Sequence, residues 1–585
     1  MSSAGVAALL PLAVVFPIVG AVVAPLLARV HGRLPLITSI VALASATVVL
    51  GIVAGRVYAG DGQLLSHFFG HWGPVDSRVL GVAFAADPFG LAFALTSAGL
   101  GTLLVVSALS ELGELGPREL GGLACLFQLL IAALIGSALT ADLINLFVWF
   151  EVAALASYGL TGFFLERPIA LEAAFKVLVL TSIAGFVIFI GAALLYADHG
   201  ALNLGQLHDA LAGHIRTPDV LALGLLVAGF GTKAGLVPFH GWLPDAHTPA
   251  PGAVSALFSA LMVDLGVVAL ARIALQVFGT NTGHPILGLL TGLGIASALL
   301  GAVLALAQDD LKRLLAWDTV SQMGILVVGF ATATASGVAG ATYHLINHGL
   351  FKALLFLCAG AIVHSTGETS LSRMGGLVRR RPLLTTGFTI GVLAISGVPP
   401  MNGYASLGLI HDGVHERSGI AGFGATLLAQ IITVAALGRA AYLGFYRRRS
   451  QPYEHLEPLR WGMRITLLLL GAGCIAFGAL PGLVIDRVAA PAAAVLLHPA
   501  AYAAGVLRGT APLPHLAISF SYGRPSDLLV AGITVLLGIG LGVAYVRTRE
   551  PLPVRLLRGL HTGSTNDYAA FATAGLLTAV LVLFS

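Results

Sequence analysis

Lys233 stands in an otherwise apolar stretch, five residues before Pro238, in the run FGTKAGLVPFHGWLPDAH at 230–247. An ammonium at bilayer depth costs roughly 2.5–3.5 kcal/mol on insertion scales, so it is kept where it faces a partner or a water-filled path. Glu151 also lies among apolar neighbours, from Ile144 to Ala154. An isolated carboxylate there takes up a proton unless a cation is close. Lys233 and Lys176 are the cations expected to serve it. An acid and a lysine sharing one buried site can trade a proton between charged and neutral forms.

Further along, His344, His348 and Lys352 recur at i, i+4 and i+8, which places them on one stripe of one helix. Histidines titrate near neutral pH and can pass protons through water. A lone histidine on an apolar helix is ordinarily a satisfied core group; three titratable groups on one stripe point to a relay. No cysteine or carboxylate joins them at i+3 or i+4, which argues against a metal site. Asp264 lies mid-run in SALMVDLGVVA at 259–269. It is either a relay member or a protonated carboxyl hydrogen-bonded to a neighbouring helix.

These groups must be held by membrane-spanning helices. The chain has 585 residues, 57% hydrophobic and 10% charged, where soluble proteins carry about a quarter charged residues. Apolar runs long enough to cross about 30 Å of hydrocarbon recur from end to end, about sixteen in all. The alternating ten-residue segments of a barrel are absent. This predicts an all-α polytopic membrane protein. The net charge of +4 does not signal nucleic acid, because the basic residues follow topology: loops after odd-numbered spans are richer in Lys and Arg, as at Arg379, Arg380 and Arg381. The positive-inside rule then makes those loops cytoplasmic and puts both termini outside. Cys125, Cys358 and Cys474 lie far apart in apolar runs and read as small core residues. No Walker-type loop, no GxGxxG after a strand and no Cys/His cluster at metal spacing occurs. No cofactor, nucleotide or metal is expected of this chain.

Two runs are interrupted in the same manner, at KAGLVP ending in Pro238 and at ISGVPPMNG with Pro399 and Pro400. Paired Gly/Pro breaks in corresponding halves mark structural repeats with ion sites at the breaks; a kink serving only packing is the alternative. The expected layout is a three-helix segment at 1–112, a five-helix repeat at 113–278, a second at 279–450, and C-terminal helices with an amphipathic linker at 451–585. An odd number of spans per unit makes tandem repeats inverted.

The motifs at 230–247, DDLKRLLAWDTVSQMG at 309–324, YHLINHGLFKALLFLCAGAIVHSTG at 343–367, GGLVRRRP at 375–382 and ISGVPPMNG at 395–403 resemble a known family. It is that of the proton-translocating antiporter-like subunits of respiratory complex I, Mrp-type cation/proton antiporters and group 4 membrane-bound hydrogenases. The resemblance covers roughly residues 80–445, and its wording is closest to the hydrogenase-type large membrane subunit. It implies two inverted five-helix units, each with a broken helix, joined by a hydrated polar axis at the membrane midplane. Glu151 matches the family's acid on the fifth helix and Lys233 its broken-helix lysine; His344, His348 and Lys352 match the central positions. The chain departs from the pattern at Asp264, where the family has lysine, and at Asp318, where serine is common. It departs again at Leu407, where lysine or glutamate is usual; the nearest titratable groups there are His411 and Asp412.

The functional expectation is a multi-pass subunit of the cytoplasmic membrane that moves protons, or alternatively sodium, with other membrane subunits as partners. Glu151, Lys233, Asp264, His344, His348 and Lys352 form its path, supported by Lys176, Asp318, Pro238, Pro399 and Pro400. A degenerate scaffold subunit and a stand-alone solute transporter are the competing readings.

Overall fold

The computed structural model describes residues 2–584 apart from 60–63, 76–77, 214, 280–284, 449–452, 454–455, 457, 510–512, 521, 548–551 and 562. Among the described residues, fourteen helices are long and apolar enough to cross a membrane, or fifteen if one bent pair counts as a span. The first half comprises α1 (Ser3–Leu27), α2 (Leu34–Ala59), α3 (Pro88–Glu111), α4 (Pro117–Leu139), α5 (Leu143–Thr161), α6 (Pro168–His199), α7 (Thr217–Lys233) and α8 (Gly252–Val277). There follow α9 (Ile286–Ala307), α10 (Leu311–Ala331), α11 (Ala335–Thr366), α12 (Pro382–Ile395) and α13 (Asn402–Ala441). The chain ends with α14 (Trp461–Ala479), α15 (Pro481–Leu497), α16 (Pro525–Arg547), α17 (Leu552–Leu560) and α18 (Thr565–Phe584).

The apolar windows of α8, α10 and α11 are 94%, 100% and 89% buried inside the fold, so these three helices form its centre. Asp264, Asp318, His344, His348 and Lys352 all sit on these three central helices and are all buried. The outer helices show the opposite pattern, with Phe175, Ile183, Phe186 and Ile190 of α6 exposed on the bundle surface.

Two of the sixteen runs expected from sequence fall short of spanning length: α7 has 17 residues and α12 has 14. Both are cut by the same turn. The amide of Gly235 bonds the Thr232 carbonyl and that of Leu236 bonds Gly231; Gly397 bonds Ala394 and Val398 bonds Leu393 in the same registers. These are Schellman caps, which need a left-handed residue just past the helix, and the two glycines supply it at φ 67° and 69°. A cis peptide follows at the same offset in each, Val237–Pro238 and Pro399–Pro400. Proline cannot donate to the helix ladder, so the axial hydrogen bonding stops there. After the first break the Val237 amide is met by Ser297 of α9, and the chain resumes as the short helix Trp242–His247. Asn402, opening α13, is tied after the second break to Asn347 of α11 in both directions.

One element departs from the all-helical expectation. Leu65–Phe68 and Ala83–Ala86 pair as an antiparallel hairpin, capped by Phe69 packing edge-on to Phe84. In the expected C-terminal linker, α15 turns by 89° into the helix Pro499–Arg508. That second helix is amphipathic, burying Tyr502, Ala503, Val506 and Leu507.

Candidate ion path

The first break delivers Lys233 at the last turn of α7, where the negative end of the helix dipole favours a cation. Its Nζ lies 3.1 Å from Glu151 Oε1 on α5. The lysine side chain is 7% exposed and the carboxylate 31%, so the pair opens on one side only. Lys176 is not its second cation. It pairs instead with Glu172 at 2.6 Å and with Asp245 at 3.1 Å, because a full turn of α6 carries it toward the helix Trp242–His247. Arg313 of α10 approaches Asp245 at 3.5 Å.

In the centre, the stripe on α11 meets partners on three helices, α8, α10 and α13. His348 Nδ1 lies 3.0 Å from Asp264 on α8. Lys352 Nζ lies 2.5 Å from Asp318 on α10 and also donates to the Leu315 carbonyl. His344 bridges Gln322 of α10 and Ser406 of α13, both at 2.9 Å. Since the Gln322 oxygen only accepts, His344 carries its proton on Nε2 and accepts from Ser406. The helix around Asp264 is widened by two π-type stretches, Phe258–Met262 and Arg272–Val277, a distortion that recurs at functional positions. His348 Nε2 and Asp318 Oδ1 are buried without a hydrogen-bond partner, while His348 Nδ1 reaches both oxygens of Asp264. These are places where a proton or water can be received.

Two cavities flank this chain of groups. One, of about 220 Å³, is lined by Glu172, Lys176, Asp245, Arg313, His561 and Gly563. The other, of about 320 Å³, begins at the second break; Leu407, His411, Asp412, His415, Arg524 and Asp527 line it. His411, buried, has an unpartnered Nε2.

A family model described as NADH:quinone oxidoreductase/Mrp antiporter, transmembrane, matches residues 140–433. This chain belongs to that family. It is 32% identical over 491 residues to NADH-quinone oxidoreductase subunit N of Desulforudis audaxviator, covering 80% of this chain and 95% of that one. It is 32% identical over 380 residues to the D-type component of the Na(+)/H(+) antiporter of Bacillus subtilis, covering 64% and 75%. Among solved structures it superposes on a chain of the membrane-bound sulfane sulfur reductase, an archaeal respiratory membrane complex. There the TM-score is 0.78 and the identity 26%, over 86% of this chain and 100% of that one.

The family stretch holds every paired group of the candidate path and ends before the C-terminal residues that line both cavities, Arg524, Asp527 and His561. Sequence reading missed those, because nothing local marks a residue in a loop or at a helix start as a lining one. It also missed Arg272. This guanidinium is 1% exposed and lies 2.7 Å from Asp87, which caps α3 through the amides of Phe89 and Gly90. It further donates to Gln276 and to the Ala138 carbonyl. The signal was present in an arginine within an apolar run and an aspartate before Pro88, a helix-start signature. Among the described residues, Asp198, His199 and Asp219 bring three potential metal ligands together. Arg216 already sits 2.7 Å from Asp198, and its amide bonds Asp219.

Proposed function

We propose that this chain translocates protons, with sodium as the alternative ion, as one membrane subunit of a larger complex. The observation that carries this is the succession of acid–base contacts across the helix bundle: Glu151–Lys233, then Asp264–His348, then Lys352–Asp318. In this reading α7 and α12 complete their crossings beyond the breaks. That gives sixteen crossings, two inverted five-helix units at 113–278 and 279–450, and both termini outside. The shared cap geometry of the two breaks supports that repeat.

Drawing the Glu151 carboxylate away leaves the buried Lys233 ammonium without a counter-charge, and the low-polarity site then favours its neutral form. The released proton passes toward Asp264 and His348. On the far side His344 hands on through Ser406 to His411, which stands in for the family's group at Leu407, and the 320 Å³ vestibule opens there. By the positive-inside count the vestibule faces outward and the 220 Å³ cavity faces the cytoplasm. The partly open face of Glu151, beside exposed Val148 and Leu155, supports a partner subunit covering it. A charge left against lipid there would be costly.

The test is Lys233→Ala in the chain purified with its membrane partners and reconstituted in proteoliposomes. Proton movement should vanish while assembly survives; transport at the parent rate would refute the reading. One observation favours a scaffold instead, namely that Lys352 and His348 are each held against a carboxylate. In that case, neutralising Glu151, Lys233 and His348 together would leave the activity of the complex intact.

A further inference from the structure

The C-terminal hairpin of α17 and α18 lies directly on the first break. A Cβ at position 575 would overlap the Pro238 ring, and one at Gly241 would overlap Tyr568. This docking brings His561, between α17 and α18, against His240 in the break. The two Nε2 atoms are 2.9 Å apart, across 321 positions of sequence. Trp317 of α10 closes the pair from the side, with ring centroids 5.3 Å from His240 and 5.1 Å from His561.

The tautomers are dictated by the neighbours. His561 Nδ1 lies 2.9 Å from the Leu557 carbonyl, which can only accept, so that nitrogen bears the proton and Nε2 is bare. His240 must therefore donate through Nε2, which leaves its buried Nδ1 bare in the neutral ring. His561 lines the 220 Å³ polar cavity with Glu172, Lys176, Asp245 and Arg313, whereas His240 is 2% exposed. One ring faces a wet, charged mouth and the other faces the interior.

We infer that His561 and His240 form a two-ring proton wire joining the polar cavity to the broken helix, with the C-terminal hairpin supplying its outer half. The inference rests on the proton-translocating reading above. The balance is simple. A proton arriving at His240 Nδ1 lets the shared proton cross from His240 Nε2 to His561 Nε2. The Nδ1 proton of His561, held on the Leu557 carbonyl in the resting pair, then leaves to cavity water as the ring turns off that carbonyl. The pair is left neutral with the opposite tautomers, ready to carry a proton inward by the reverse steps: in at His561 Nδ1, across the gap, and out at His240 Nδ1. Which Nδ1 is bare sets the direction of the next transfer.

The experiment uses the full chain with its co-purified membrane partners in proteoliposomes, with proton movement followed by a pH-sensitive dye. His561→Gln keeps a hydrogen-bonding side chain but cannot relay, so the rate should fall on the order of tenfold or more. His561→Gly should be equally slow and recover on adding imidazole, which a purely structural role of His561 would not allow. A parent rate in His561→Gln, or a slow His561→Gly that imidazole leaves unchanged, overturns the wire. Lys233→Ala is run alongside. If it still transports, the proton-translocating reading itself fails; if it is inactive while the His561 variants are unaffected, only the wire fails.

Discussion

Lys352 and Asp318 meet at 2.5 Å with neither side chain exposed. The Asp318 carboxylate is placed to offset the charge of Lys352. Breaking a buried pair from one side costs about 3–5 kcal/mol, because an uncompensated charge remains. Asp318→Asn should therefore lower the thermal stability of the purified complex sharply, and Lys352→Met added to it should recover part of the loss. A double-mutant cycle with no coupling between the two positions would show that they act independently.

Gly185 on α6 gives the Glu151 carboxylate its room. A Cβ there would collide with Glu151 Oε1. Gly185→Ala favours the helix by roughly 0.5–1 kcal/mol, yet it should push the acid off Lys233. The expected result is intact assembly with proton movement reduced on the order of tenfold, a drop of about 1.4 kcal/mol in transition-state stabilisation. Full activity in this variant would mean that the pair's spacing is not critical.

At the vestibule, His411→Leu removes a buried titratable lining group while keeping its apolar contact with Phe423. Proton release should slow, whereas Leu407→Ala should change the rate little. Equal rates in the parent and His411→Leu would move the outlet elsewhere.

Arg272 is predicted to be structural. Its guanidinium serves Asp87, Gln276 and the Ala138 carbonyl at once, a fork that lysine cannot reproduce. Both Arg272→Ala and Arg272→Lys should destabilise the protein, the alanine by about 3–5 kcal/mol. The rate per assembled molecule should remain near that of the parent. Unfolding midpoints in detergent together with transport by the surviving fraction would separate the two effects.

Much of this is legible in the amino-acid sequence. Composition alone dictates the medium, because 10% charge cannot clothe a water-soluble surface of this size. The breaks were legible as well, since a left-handed glycine followed by proline is a local instruction to end a helix. The short reach of α7 and α12 follows from that same instruction, although counting apolar residues alone gave two more full spans.

What the chain's order of residues determined by itself is the solvent, the helices, the places where they stop and the short roster of groups that can ionise. Only the tertiary structure decided who meets whom. Lys176 turned to Asp245 rather than Glu151, and Asp318 found Lys352. Arg272 reached across 185 positions to Asp87, and His561 across 321 to His240. The physical reason is range. Periodicity and caps act within a few residues, whereas the partner of a buried charge is set by how helices distant in sequence rotate and pack against one another.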